Sequence, residues 1–148
     1  MSEGNDINNV LFDACENATP DVVEFIVKQY PSLLSRLNSK NDTALHVACE
    51  QGMVIEGIKC IYNAYPDALK LFNNDGASPL HLTIAGGKSL DTLIFLYEKL
   101  PNALSTQNGH GDLPLHWISE DTEEDLVSYM VKAYPRGAAM KNIDGAYP

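Results

Sequence analysis

The chain is short of cations. Its 148 residues include 10 Lys and Arg against 20 Asp and Glu, for a formal net charge of −10 at pH 7. Nucleic-acid binding needs a basic stripe that displaces counterions, so a chain of this charge is a poor ligand for phosphate backbones. Cysteine is also scarce. Cys15, Cys49 and Cys60 form an odd, sparse set with no CxxC pair. That excludes a disulfide scaffold and points to reduced thiols in the cytoplasm or nucleus. No apolar run approaches the ~20 residues of a membrane helix, so no membrane insertion is expected. The polar opening MSEGNDINN holds no secretory apolar core. Phosphate-loop, GxSxG, HExxH and calcium-loop patterns are all missing. With no nucleophile–base pair and no cofactor motif, the sequence reads as non-enzymatic and free of cofactors and metals.

What is present is a globular composition and a repeat. Apolar residues make up 45% and charged residues 20%, which argues against wholesale disorder. Thr43-Ala44-Leu45-His46, Ser78-Pro79-Leu80-His81 and Leu113-Pro114-Leu115-His116 recur at spacings of 35 and 35. Tyr30-Pro31, Tyr65-Pro66, Leu100-Pro101 and Tyr134-Pro135 recur at 35, 35 and 34. A polar turn precedes each His tetrad. The segment from Leu11 to Glu16 matches that from Leu45 to Glu50, 34 residues on, at Leu, Ala, Cys and Glu. The approximate repeats are 5–38, 39–73, 74–108 and 109–142, with 143–148 opening a further, truncated unit. That ending has two readings, a longer array cut short or a last hairpin that caps the stack, and the first is preferred because natural terminal repeats carry a polar outer face.

Each period reads as helix, turn, helix, loop. Asn9, Thr43 and Ser78 fall at the N-cap of the first helix, where a side-chain oxygen can bond a free N–H. Pro79 and Pro114 follow at the first helical position, and Gly52 and Gly86-Gly87 fit its end. In the second helix, apolar residues fall seven and four positions before the Tyr or Leu of the proline marker, and at the marker itself. These are Val23, Ile26 and Tyr30, then Ile58, Ile61 and Tyr65, then Leu93, Leu96 and Leu100, then Val127, Met130 and Tyr134. That spacing is one helical face. Thr19-Pro20 and the pair Thr122 and Asp125 give start signals, and the proline of each marker gives the stop. A lone helix pair cannot bury both faces, so equivalent pairs are expected to stack in a row with local contacts.

These residues resemble the ankyrin repeat: a polar turn, a Thr/Ser-Pro-Leu-His opening to a short helix, a glycine turn, a second helix and a loop back. The period of 34–35 is longer than the family's ~33, and Tyr-Pro stands where Gly-Ala is common, as in a divergent variety. The resemblance implies an all-α ankyrin-repeat solenoid of helix-turn-helix units with short hairpin turns, acting as a protein-binding scaffold. It further implies recognition through hairpin tips and the concave inner-helix face. On this sequence the partner-binding residues are then Asn38, Ser39, Lys40 and Asn41, Asn73, Asn74 and Ala77, Asn108, His110 and Asp112, with Asn142 and Ile143 beyond them. The inner-helix ends add Glu50, Gln51, Glu120 and Asp121. The same resemblance gives Thr43, His46, Ser78, His81 and His116 structural roles. Leu113 offers no hydroxyl to His116, so the fourth inner helix should start weakly. A regulatory or structural segment of a larger protein is the alternative reading.

Several residues invite chemistry but read more simply as structure. His46, His81 and His116 sit one repeat apart, and neighbouring packed helices lie ~8–10 Å apart, too far for three equivalent side chains to share one ion. Cys15 and Cys49 read as small buried packing, and Cys60 as a second-helix residue on the exposed side. Trp117 is core by its column, which holds Val47 and Leu82, with a partly exposed binding anchor as the other reading. The acidic run from Glu120 to Asp125 is a solvated turn that suits a helix N-terminus, a patch for a basic partner, or both. The charge implies a protein partner with a basic or mixed surface. The sequence leaves the oligomeric state open.

Overall fold

A computed structural model describes residues 3–87 and 89–148, with side-chain surroundings from residue 9 onward. Among the described residues the chain forms seven α-helices and no β-strand. They are α1 (Glu3–Asn17), α2 (Pro20–Gln29), α3 (Ala44–Glu50), α4 (Ile55–Ala64), α5 (Pro79–Gly86), α6 (Leu90–Lys99) and α7 (Glu124–Ala133). Helices α1, α3 and α5 contact one another in order, and α5 then meets the short turn Pro114–Trp117. Helices α2, α4, α6 and α7 form a second row in the same way. The result is a two-layered, solenoid-like all-α array.

The core is built in columns. Leu11, Leu45, Leu80 and Leu115 lie at equivalent places in the inner row and are buried. Val23, Ile58, Leu93 and Leu126 are buried in the outer row, with Ile26, Ile61, Leu96 and Met130 one turn on. Each fully buried Leu or Ile is worth ~1.5–3 kcal/mol relative to exposure. The middle inner helices, α3 and α5, are sunk on all sides over most of their length: every residue of Ala44–Cys49 and of Pro79–Ile84 is buried.

The Tyr-Pro and Leu-Pro markers end α2, α4, α6 and α7, as the steric restriction before proline requires. The proline then opens a five-residue 3₁₀ turn, Pro31–Ser35, Pro66–Lys70, Pro101–Ser105 and Pro135–Ala139. Leu33, Leu34, Ala68, Leu69, Ala103 and Leu104 bury themselves there. These turns open the loop that leads back to the next polar turn.

Several local expectations are corrected. Asn9 caps nothing, because α1 runs through it from Glu3, and no proline interrupts the chain before Pro20. Thr122 does not cap α7. Its hydroxyl accepts from the Ser119 N–H at 3.0 Å, and the N-cap falls on Glu123 without a side-chain bond. In the fourth repeat the buried outer residue is Leu126, which falls in the column of Gly57 and Thr92, and Val127 is only half-buried. Tyr30 is exposed. Trp117 is half-buried, since the four-residue 3₁₀ turn Pro114–Trp117 stands where a full inner helix was expected.

Candidate functional site

The polar seam between repeats determines which groups remain free for a partner. The Thr43 N–H donates to His46 Nδ1 at 3.2 Å, and the Thr43 hydroxyl lies 2.8 Å from the same nitrogen. With Nδ1 accepting, the proton belongs on Nε2, which points at the Ala77 carbonyl 3.2 Å away in the next repeat. Ser78 and His81 repeat the arrangement, with Nε2 at 3.5 Å from the Asp112 carbonyl. Burial pushes both imidazoles below their ordinary pKa, His81 to about 4. At the fourth repeat only the Leu113 N–H reaches His116 Nδ1, at 3.0 Å, and His116 Nε2 lies 3.2 Å from the Ala146 carbonyl. The three rings serve three separate seams. Among the described residues no three His, Cys, Asp or Glu side chains gather as a metal would require.

The polar turns are knotted in the same manner. In each, an Asn side-chain oxygen accepts two backbone N–H groups: Asn38 from Lys40 and Asp42, Asn73 from Asp75 and Ala77. Asn108 does so for His110 and Asp112, and Asn142 for Asp144 and Ala146. Asn73 Nδ2 then donates across the seam to Asp42 at 2.7 Å, and Asn142 Nδ2 to Asp112 at 2.8 Å. Asn41 Nδ2 donates to Asn74 Oδ1 at 2.6 Å, and the Asn74 N–H to the Lys40 carbonyl at 2.9 Å. Asn73, Ala77 and Asn108 are buried, Asn38 and Asp112 half-buried, and Ser39, Lys40, Asn41, Asn74 and His110 exposed.

The expected mode of recognition is therefore overturned. Among the described residues there is no strand and hence no β-hairpin whose tip could project toward a partner. The segments in that place are compact turns whose amides bond to each other. The inner helices α3 and α5 offer no free face either, being buried along Ala44–Cys49 and Pro79–Ile84. The terminal helix α1 also exposes Val10, Asp13 and Glu16; in α3 and α5 only the ends reach solvent, at Glu50 with Gln51 and at Ala85, with Glu120 and Asp121 exposed in the fourth repeat. There the Glu123 N–H donates to the Gly87 carbonyl at 3.0 Å. Gly87 is left-handed (φ 69°), and a Cβ on it would come 3.0 Å from the Asp121 carbonyl, so the acidic turn lies directly on this glycine.

The outer row is different. Between α4 and α6 runs an open groove of about 270 Å³, lined by Ile55, Lys59, Asp91, Ile94, Phe95 and Glu98. A second hollow, about 360 Å³, shares Ile55 and Asp91 and adds Gly52, Met53, Val54, Glu56 and Ser89. Together they form one trough along the helix pair. Phe95 closes its far end. Tyr62 meets the Phe95 ring edge-on at 5.4 Å, and Lys59 and Lys99 hold their ammonium groups 5.7 and 5.4 Å from its centre. Tyr97 and Tyr129 repeat the staggered contact between α6 and α7 at 6.2 Å. Val54 at the near end is 55% exposed, and Phe25 on α2 is 62% exposed. Acids mark the near end: Asp21, Glu56, Asp91 and Glu124 with Asp125 each stand in the first turn of an outer helix.

The trough residues carry no periodic apolar signal of their own, because they lie beside the buried column on two different helices. An acidic signal was present. Asp21, Glu56, Asp91 and Asp125 keep the 35, 35, 34 spacing of the proline markers. Among the described residues no helix is long and apolar enough to cross a membrane. No protein-family model matches the chain, and no curated protein matches it.

Proposed function

We propose that the chain is a non-enzymatic, protein-binding scaffold of four ankyrin-like repeats that docks its partner on the outer-helix row. The ankyrin reading is supported by the equivalent bonding of Thr43 with His46 and of Ser78 with His81. It is supported too by imidazoles that reach the next repeat's backbone every 35 residues. Repeat boundaries near 38, 73, 108 and 142 place one knotted Asn at each junction. The observation that carries the docking reading is the half-buried strip of Ile55, Ile94 and Phe95 that lines the open α4–α6 trough. A rigid framework that has already spent its polar turns on itself loses little entropy when such a strip is covered. The net charge of −10 and the acids at the outer-helix starts favour a partner with a basic or mixed surface.

Photo-crosslinking in the source cell tests this reading. A photoreactive residue replacing Lys59 should capture one protein reproducibly, and the same group replacing Asp75 on a polar turn should not. Capture from Asp75 alone overturns the outer-row assignment.

A further inference from the structure

The repeat supplies its own control for which residues the fold demands. One position, six before each marker, holds Glu24, Lys59, Ile94 and Ser128. Three of the four are polar, so the framework does not require an apolar residue there. Ile94 departs from its column and lies in the floor of the trough with Ile55 and Phe95. Half-buried Ile94 therefore adds apolar surface that the framework does not demand, next to half-buried Ile55 and Phe95, and the three make one contiguous patch.

Charge then specifies the cover. Glu56 and Asp91 stand over the near end and Glu98 over the side, while Lys59 and Lys99 are drawn onto Phe95 at the far end. The span from Asp91 to Glu98 along α6 is roughly 10 Å at ~1.5 Å per residue, about two helical turns. We infer that the trough receives a short amphipathic helix of a partner protein. Its apolar stripe lies on Ile55, Ile94 and Phe95, and its Lys or Arg residues stand against Glu56 and Asp91. An anionic helix laid in the same sense meets Glu56 and Asp91 at the near end and is disfavoured, Lys59 and Lys99 being held on Phe95 at the other end; a wholly apolar one leaves the two acids without a counter-charge. This inference rests on the outer-row reading above and adds the chemistry of the partner.

The test uses the full chain and three 14-residue amidated peptides. The first is a Leu/Lys helix with one apolar face, the second the same helix with Glu for Lys, the third a scrambled Leu/Lys sequence. Binding is followed by amide and methyl chemical shifts. The Leu/Lys helix should shift Ile55, Ile94 and Phe95, and bind about tenfold more tightly than the other two. Replacing both acids, Glu56→Gln with Asp91→Asn, should weaken it about tenfold, and Ile94→Ser about fivefold. The pair Glu120→Gln with Asp121→Asn is the control and should change affinity less than about twofold. Equal weakening by the control pair means general attraction to an acidic chain, and overturns the proposal. So do shifts on another face, the absence of binding at millimolar peptide, or a concentration-dependent doubling of mass that shifts the trough residues. If peptides fail while Lys59 crosslinking succeeds, the partner chemistry falls and the outer-row reading stands.

Discussion

Asn108 is the one buried side chain with an idle donor among the described residues: its Nδ2 has no partner. The cause is a single substitution within the repeat. Asp42 accepts from Asn73, and Asp112 from Asn142, but the corresponding place before Asn108 is held by Ala77. An orphaned buried amide costs ~1–3 kcal/mol. Ala77→Asp should give Asn108 its acceptor and raise stability by about 1 kcal/mol, read as an upward shift in the urea midpoint. An unchanged or lower midpoint would mean the new carboxylate is left without sufficient hydrogen bonds. The histidines set a pH limit at the same scale. Well above pH 6.5 the His81 ring is neutral both folded and unfolded. As pH falls through that value the unfolded chain takes up protons that the buried ring refuses, and stability declines until about pH 4. The loss is on the order of 3 kcal/mol for His81. Urea unfolding at pH 7 and pH 4.5 checks this, and His81→Asn should flatten the difference.

Element ends were the most legible part of the chain where a covalent constraint sets them. Proline cannot continue a helix, so the four markers fixed where the outer helices stop. The hydroxyls of Thr43 and Ser78, three residues before His46 and His81, likewise placed the starts of α3 and α5. Starts that depend on competition were not legible. Thr122 had a second use in the Ser119 turn, and Asn9 was overrun by a helix that nothing upstream halted. The fourth inner element shows the competition most clearly. Leu113 is fully buried but cannot cap, and the segment winds for only four residues. Leu113→Thr restores a cap worth ~1 kcal/mol but removes a buried Leu worth ~1.5–3 kcal/mol. The variant should therefore be less stable by about 1 kcal/mol, even as circular dichroism gains helical signal. A more stable variant would show that capping outweighs packing at this place. The trough was illegible for a related reason: a groove between α4 and α6 belongs to two helices, and no window along one of them contains it.

At the scale of the whole array, cohesion is passed from one neighbour to the next. Stability should then be uneven, with free energies of opening that differ along the stack. The fourth unit lacks a full inner helix and the His–hydroxyl pair, so its amides around Leu115 and Trp117 should exchange about tenfold faster than those of α3 and α5. Hydrogen exchange followed by mass spectrometry resolves this; uniform protection across the units would mean the array unfolds as one body. The placement of acids has a further consequence. Each outer helix begins with a carboxylate, and α2, α6 and α7 end with a lysine in the last turn. The row is thus a bar with fixed electrical polarity. A cationic body drifting toward it feels a torque before it feels a surface, and arrives already turned toward the end where the carboxylates stand.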